Sequence, residues 1–157
     1  MLTTTRRAAL SASLAAGLAL AGAGAAVAAP PANAGKPLST ALTPAQEVAP
    51  FVGVVGASGQ ADLRLNIGQG RICVDLTTFG FNLKLAHIHD GEVGANGGVV
   101  VDFSGLVTAS SAVGCVSVER ALVKEISQNP ADYYVNTHAG LPGTAAFFQG
   151  IRGQLGG

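Results

Sequence analysis

The sequence has no tryptophan, one methionine, two tyrosines, two cysteines and three histidines among its 157 residues. The side chains able to hold a soft metal, carry a thiol nucleophile or exchange protons near neutral pH are therefore few and can be placed individually. Charged residues are only 11% of the chain, with nine basic against nine acidic side chains. No basic stripe exists for nucleic acid or an anionic membrane. There is no His-Glu-x-x-His, no nucleophile elbow and no phosphate-binding loop, which leaves nothing to support nucleophilic, zinc-protease or nucleotide chemistry.

What is abundant is small and apolar. Arg6-Arg7 are followed by a run of Ala, Leu, Gly and Ser, with Val27, from Ala8 to Ala29 that contains no acid. This pattern reads as an export signal. Ala26-Val27-Ala28 and Ala32-Asn33-Ala34 are both small-x-small cleavage patterns, and the second is favoured, giving a signal over 1–34 and a mature domain over 35–157. The paired arginines allow either the general secretory or the twin-arginine route. A retained membrane helix would need about 20 apolar residues, but the Ala/Gly richness and Pro30-Pro31 argue for a cleaved segment. Loss of Arg6 and Arg7 leaves seven basic and nine acidic side chains, so the mature chain is mildly acidic.

Strand-like alternation dominates the remainder. Ser39–Thr43 reads as a first strand, followed by a bend through Pro44 and Pro50. Ala61, Leu63, Leu65 and Ile67 alternate with Asp62, Arg64 and Asn66, and Ile72, Val74 and Leu76 repeat the period beyond Gly68-Gln69-Gly70, as in a hairpin. Lys84–His89, Val99–Phe103, Cys115–Val118, Asp132–His138 and Ile151–Leu155 are further strands, and Ser104–Gly114 reads as an irregular connection. One helix is expected where Val118, Leu122 and Ile126 fall four apart before Asn129-Pro130. Many short strands, frequent glycine and one short helix indicate an antiparallel β-sandwich or barrel.

The histidines lie on these strands. His87 and His89 are two residues apart, so they share a face at about 6.6 Å along the backbone, and His138 shares a face with Tyr134 and Asn136. Each imidazole sits at the end of a strand next to a loop. The arrangement fits a small metal site, with His87, His89 and His138 as ligands and Asn136 behind them, or histidines that simply hydrogen-bond within a packed sheet. Asp90 and Glu92 read as solvated loop charges. Cys73 and Cys115, an even pair in an exported chain, are most simply a disulfide; a Cys–His metal site would require the thiols to lie beside the imidazoles.

Several of these segments resemble one family. Leu42 with Gln46-Glu47-Val48 and Pro50, Ala86-His87-Ile88-His89 with Gly91, Gly94, Asn96 and Gly97, Tyr134-Val135-Asn136-Thr137-His138, and Ile151-Arg152-Gly153-Gln154-Leu155 are similar to motifs of the CHRD domain, the module repeated in chordin and found alone in exported bacterial proteins. Two departures stand out: Asn136-Thr137-His138 replaces the usual Asn-Val-His, and Ala145–Gln149 occupies the place of a shorter Pro-Gly-Gly-Glu link. The resemblance implies an immunoglobulin-like β-sandwich or barrel with a distant similarity to copper-zinc superoxide dismutases, whose strand His-x-His supplies copper ligands.

On this reading the chain is an exported, non-catalytic binding module that meets an extracellular or surface partner. Three histidines would hold a metal ion, copper ahead of zinc. The alternative is a copper-dependent redox protein of the dismutase kind. A dinuclear centre is excluded by number, since three histidines cannot supply both a bridging imidazole and two separate ligand sets. Glu47 and Arg152, oppositely charged in the first and last motifs, are expected to pair.

Overall fold

The computed structural model describes residues 34–156, so the expected export segment lies outside the described residues except for Ala34. In chain order the strands are β1 (Lys36–Leu42), β2 (Val52–Gly53), β3 (Ser58–Asn66), β4 (Arg71–Phe79), β5 (Leu85–Asp90), β6 (Val99–Asp102), β7 (Val107–Thr108) and β8 (Ser111–Ser117). Helix α1 (Arg120–Gln128) then precedes β9 (Tyr133–His138) and β10 (Gln149–Gln154).

The strands form two five-stranded sheets, β1-β3-β4-β8-β7 and β2-β10-β9-β5-β6. Pairing is antiparallel except where β2 runs parallel to β10. The molecule is thus the all-β sandwich with one short helix that the alternation predicts.

The expected hairpin forms, with Leu63 opposite Val74 and Leu65 opposite Ile72. In these paired strands one face turns inward and the other outward. Leu42, Leu63, Leu65, Ile72 and Leu76 of the first sheet meet Ala86, Ile88, Val101, Val135 and Ile151 of the second in one buried cluster. Val123 and Ile126 join that cluster from α1, and Lys36 Nζ donates to the Ser127 carbonyl. The helix is shorter than the four-residue spacing implied, because Val118 is still held to the β3–β4 turn by a hydrogen bond from its N–H to Gly70 O, 2.8 Å.

Two local expectations need correction. Ser104–Gly114 is not an irregular loop throughout, since β7 and the start of β8 form a tight hairpin with Val107 opposite Ala112. Small polar side chains hide this strand from a hydrophobicity reading. The first and last motifs do meet, but not by a Glu47–Arg152 ion pair. Backbone bonds join them, from Thr43 N to Arg152 O and from Arg152 N to Thr43 O, 2.9 and 3.2 Å, and Gln46 Oε1 accepts from Gln154 N, 2.9 Å.

Cys73 and Cys115 are register partners on β4 and β8 and are joined as a disulfide across a sequence separation of 42. They lie on the first sheet, whereas the three histidines lie on the second, which removes the mixed Cys–His site. Replacing both cysteines by serine is expected to lower the unfolding free energy by about 4 kcal/mol on loop-closure grounds. A urea midpoint equal to wild type would show that the bridge does not stabilise this fold.

Candidate metal centre

In β9 all six residues are buried, so this strand is covered on both faces. One face belongs to the core. The other carries Tyr134, Asn136 and His138, and register places His89, His87 and Leu85 directly opposite them on β5. On the opposite flank β10 contributes Gln154, Arg152 and Gly150 beside the same three residues. The outer face of the second sheet is therefore a polar layer, and it is buried: His87, His89 and His138 are 8%, 7% and 2% exposed, Asn136 2% and Arg152 1%.

The imidazoles converge. One nitrogen from each of His87, His89 and His138 can be chosen so that all three lie within 4.8 Å of one another. Their other nitrogens identify which ones. His89 Nδ1 lies 3.0 Å from Gly97 O and His138 Nδ1 2.8 Å from Phe147 O. A carbonyl oxygen only accepts, so both rings carry their proton on Nδ1 and keep the Nε2 lone pair free. His87 is turned the other way, with Nε2 3.2 Å from Ser104 Oγ and 3.5 Å from Asp102 Oδ1. That carboxylate favours the proton on Nε2, which frees Nδ1. His87 Nδ1 and His89 Nε2 are buried with no hydrogen-bond partner. A buried lone pair without a partner is costly, and the donor set it belongs to is His87 Nδ1, His89 Nε2 and His138 Nε2.

Aromatic rings hold the imidazole planes. Tyr134 stacks on His89 at 4.8 Å between centroids and 8° between planes, and Phe147 on His138 at 4.7 Å and 11°. Phe51 closes over His138 at 5.5 Å. On the other face of Tyr134 the Arg152 guanidinium lies 3.3 Å from the ring centroid. Arg152 donates to Ala95 O and Glu92 O, 2.8 and 2.9 Å, and to Gln154 Oε1, 3.0 Å. A planar five-donor cation is suited to gathering such a loop.

Residues 91–98, which supply these carbonyls, are shaped more by close approach than by unusual dihedrals. Gly94 is the residue there with positive φ, 81°. Gly97 is required for space, since a Cβ would stand 1.4 Å from Asp90 O. Its N–H donates to Tyr134 Oη, 3.1 Å, while its carbonyl receives His89. The loop is anchored by Asn96, which donates to Val48 O and Ala49 O at 3.2 and 2.8 Å.

The expected ligand residues are thus brought together. Asn136 is buried among them, but its Oδ1 accepts from Thr137 N, 2.7 Å, and its side chain makes no hydrogen bond to an imidazole. The partners behind the histidines are Gly97, Phe147, Asp102 and Ser104. Spacing could not reveal these, because two are backbone carbonyls and the others lie beyond a loop. Asp90 and Glu92 are exposed, as expected of solvated charges. Among the described residues the Asp102 carboxylate lies within 4.0 Å of His87, as the acceptor facing its Nε2.

Electrostatics keep the three rings neutral. Burial pushes His87 down to about 4, helped by the positive charge that His138 and His89 would carry, and Asp102 only partly opposes this. Burial also lowers His89 and His138, against the pull of the Gly97 and Phe147 carbonyls. Glu47 behaves oppositely: burial raises its carboxyl to about 7 despite Arg152 and Asn136, and its Oε1 has no hydrogen-bond partner.

In the metal-free protein, stability should therefore fall as pH drops from about 6.5 toward about 4, where the unfolded chain binds protons that the buried imidazoles refuse. Glu47 contributes in the other direction. Its protonated form favours folding at low pH, and that contribution is lost as pH rises from 4.5 to about 7. Glu47→Gln should gain thermal stability relative to wild type across that interval; parallel melting curves at every pH would refute this. A separate expectation concerns Gly97→Ala, which should cost about 2–4 kcal/mol in denaturant melts through displacement of the loop; a near-neutral result would mean the 91–98 turn is not tightly held.

The family model of the CHRD domain matches residues 38–155, well over half of the chain and inclusive of every residue named in the polar layer. No curated protein and no solved structure matches the chain.

Proposed function

The chain belongs to the CHRD domain family, and from that premise we propose that it is an exported binding module whose buried histidine triad holds one transition-metal ion, copper ahead of zinc. The observation that carries the reading is the pair of buried, partnerless nitrogens, His87 Nδ1 and His89 Nε2, aimed with His138 into one small space. Neutral imidazole is a suitable donor for both metals. The Nδ1–H bonds of His89 to Gly97 O and of His138 to Phe147 O, with Asp102 behind His87, are the outer contacts that orient metal-bound histidines. With imidazole bonds of about 2.0 Å the nitrogens would close to roughly 3.5 Å apart in a trigonal set, a modest contraction.

The module acts by holding rather than by turnover. Its imidazoles are almost wholly buried, and the Asp102 carboxylate and Ser104 hydroxyl stand behind His87 Nε2, away from the free donor nitrogens, which favours a bound ion as part of the folded unit over a redox enzyme. The disulfide is at home in an oxidising compartment, and chordin-type modules meet extracellular proteins. An extracellular or surface protein is accordingly the partner class.

Elemental analysis with copper and zinc titration tests the centre. The metal-free wild type should take up one equivalent and melt higher, with about 2.7 kcal/mol of added stability when free metal stands at 100 times Kd. His87→Ala/His89→Ala should take up none. A wild type that binds neither ion would sink the proposal and leave the triad as packing.

A further inference from the structure

We infer that the histidine triad selects copper in its monovalent state, as a three-coordinate Cu(I) ion, over divalent zinc or copper. This rests on the reading that the triad binds metal at all. Charge and coordination number carry the inference.

The donor set is neutral. The metal-ligating group consists of three imidazoles with no carboxylate or thiolate among them. Asp102 reaches only the far nitrogen of His87 and its side chain is 64% exposed, so its charge is largely screened. Asp90 and Glu92 are exposed. Glu47 lies on the Arg152 side of the layer, and Arg152 is a fully buried cation stacked on the tyrosine that itself stacks on His89. A cation entering this space therefore meets the buried Arg152 guanidinium, while the half-buried Glu47 carboxyl faces Arg152 and Asn136 rather than the imidazoles and is no member of the ligand set. The cost of burying an ion grows with the square of its charge, so a divalent ion is disfavoured roughly fourfold more than a monovalent one.

The donor number points the same way. Zinc completes a tetrahedron with a fourth ligand, a water where the protein supplies three, and Cu(II) prefers a tetragonal set. Three nitrogens alone satisfy Cu(I), in a space that aromatic rings close to a further ligand. A fourth protein donor is not at hand among the described residues. Flat aromatic faces wall His89 and His138, the Tyr134 hydroxyl is engaged by Gly97 N, and Phe51 lies over His138. Softer donors do not compete, because Cys73 and Cys115 are bonded to each other and the sole methionine is Met1.

Competition titrations on the metal-free, disulfide-intact protein provide the test. Cu(I) is supplied anaerobically with ascorbate against the chelator bathocuproine disulfonate, and Zn(II) and Cu(II) against chromophoric chelators of known affinity. Cu(I) should bind about 100-fold or more tighter than Zn(II), with an X-ray absorption edge of three-coordinate Cu(I) bound by nitrogen. A second variant probes charge directly: Asn136→Asp, made together with Glu47→Gln so that an amide still faces residue 136 and no second carboxyl shares its proton, keeps an acceptor for Thr137 N and puts one negative charge opposite His87. It should narrow the Cu(I)-over-Zn(II) preference about tenfold. Zn(II) or Cu(II) binding as tightly as Cu(I), or an unchanged preference in Asn136→Asp/Glu47→Gln, would overturn the inference while leaving a metal centre in place. Failure to bind any of the three ions would overturn the metal reading as well.

Discussion

A neutral imidazole taken out of water presents one N–H that needs an acceptor and one lone pair that needs a proton, a donor or an ion. Three such rings are buried on the outer face of the second sheet, and much of the surrounding chain is arranged to satisfy one half of each. Gly97 and Phe147 turn carbonyls onto Nδ1 of His89 and His138, and Asp102 with Ser104 takes Nε2 of His87. The opposite handedness of His87 follows from its place. It is paired on one side with Asn136 and on the other with Asp102, so its carboxylate partner comes from the edge strand and its free nitrogen turns inward. The halves left unsatisfied all face the same small volume.

Arg152 is what allows this layer to stay closed. A buried guanidinium is expensive unless its donors are used, and here they are spent on carbonyls of the 91–98 loop and on Gln154, with Tyr134 beneath. The same loop carries the carbonyl that orients His89. Loop position, ring stacking and imidazole orientation are in this way mechanically linked, although the guanidinium touches none of the three histidines by a hydrogen bond. Gln46 and Gln154 complete the seam between the beginning and the end of the fold.

Much of the architecture was legible beforehand because a period of two is a physical requirement of a half-buried strand. Leu63, Leu65, Ile72 and Val74 announced their hairpin, and they sit in the core as that alternation demands. The weakly hydrophobic β7 and the start of β8 escaped notice, since Thr108, Ser110 and Ser111 carry no apolar signal. The Glu47–Arg152 pairing failed for a different reason. Opposite charge in two adjoining segments says nothing about which partner desolvation allows, and Arg152 found better acceptors in backbone carbonyls and a tyrosine face.

The sequence by itself determined an all-β chain, the even pair of cysteines and the placement of all three histidines on strands, because alternation and composition are local properties. It also placed His87 and His89 on one face, since two residues along a strand always share a side. Whether His138 would join them depended on β9 pairing with β5 in the register that sets Leu85 opposite His138. Which nitrogen each ring offers was likewise decided only in three dimensions, by carbonyls and a carboxylate brought from distant loops. A hydrogen bond across many residues has no periodicity to read; it exists only once the two sheets have closed and the loops over them have nowhere else to go.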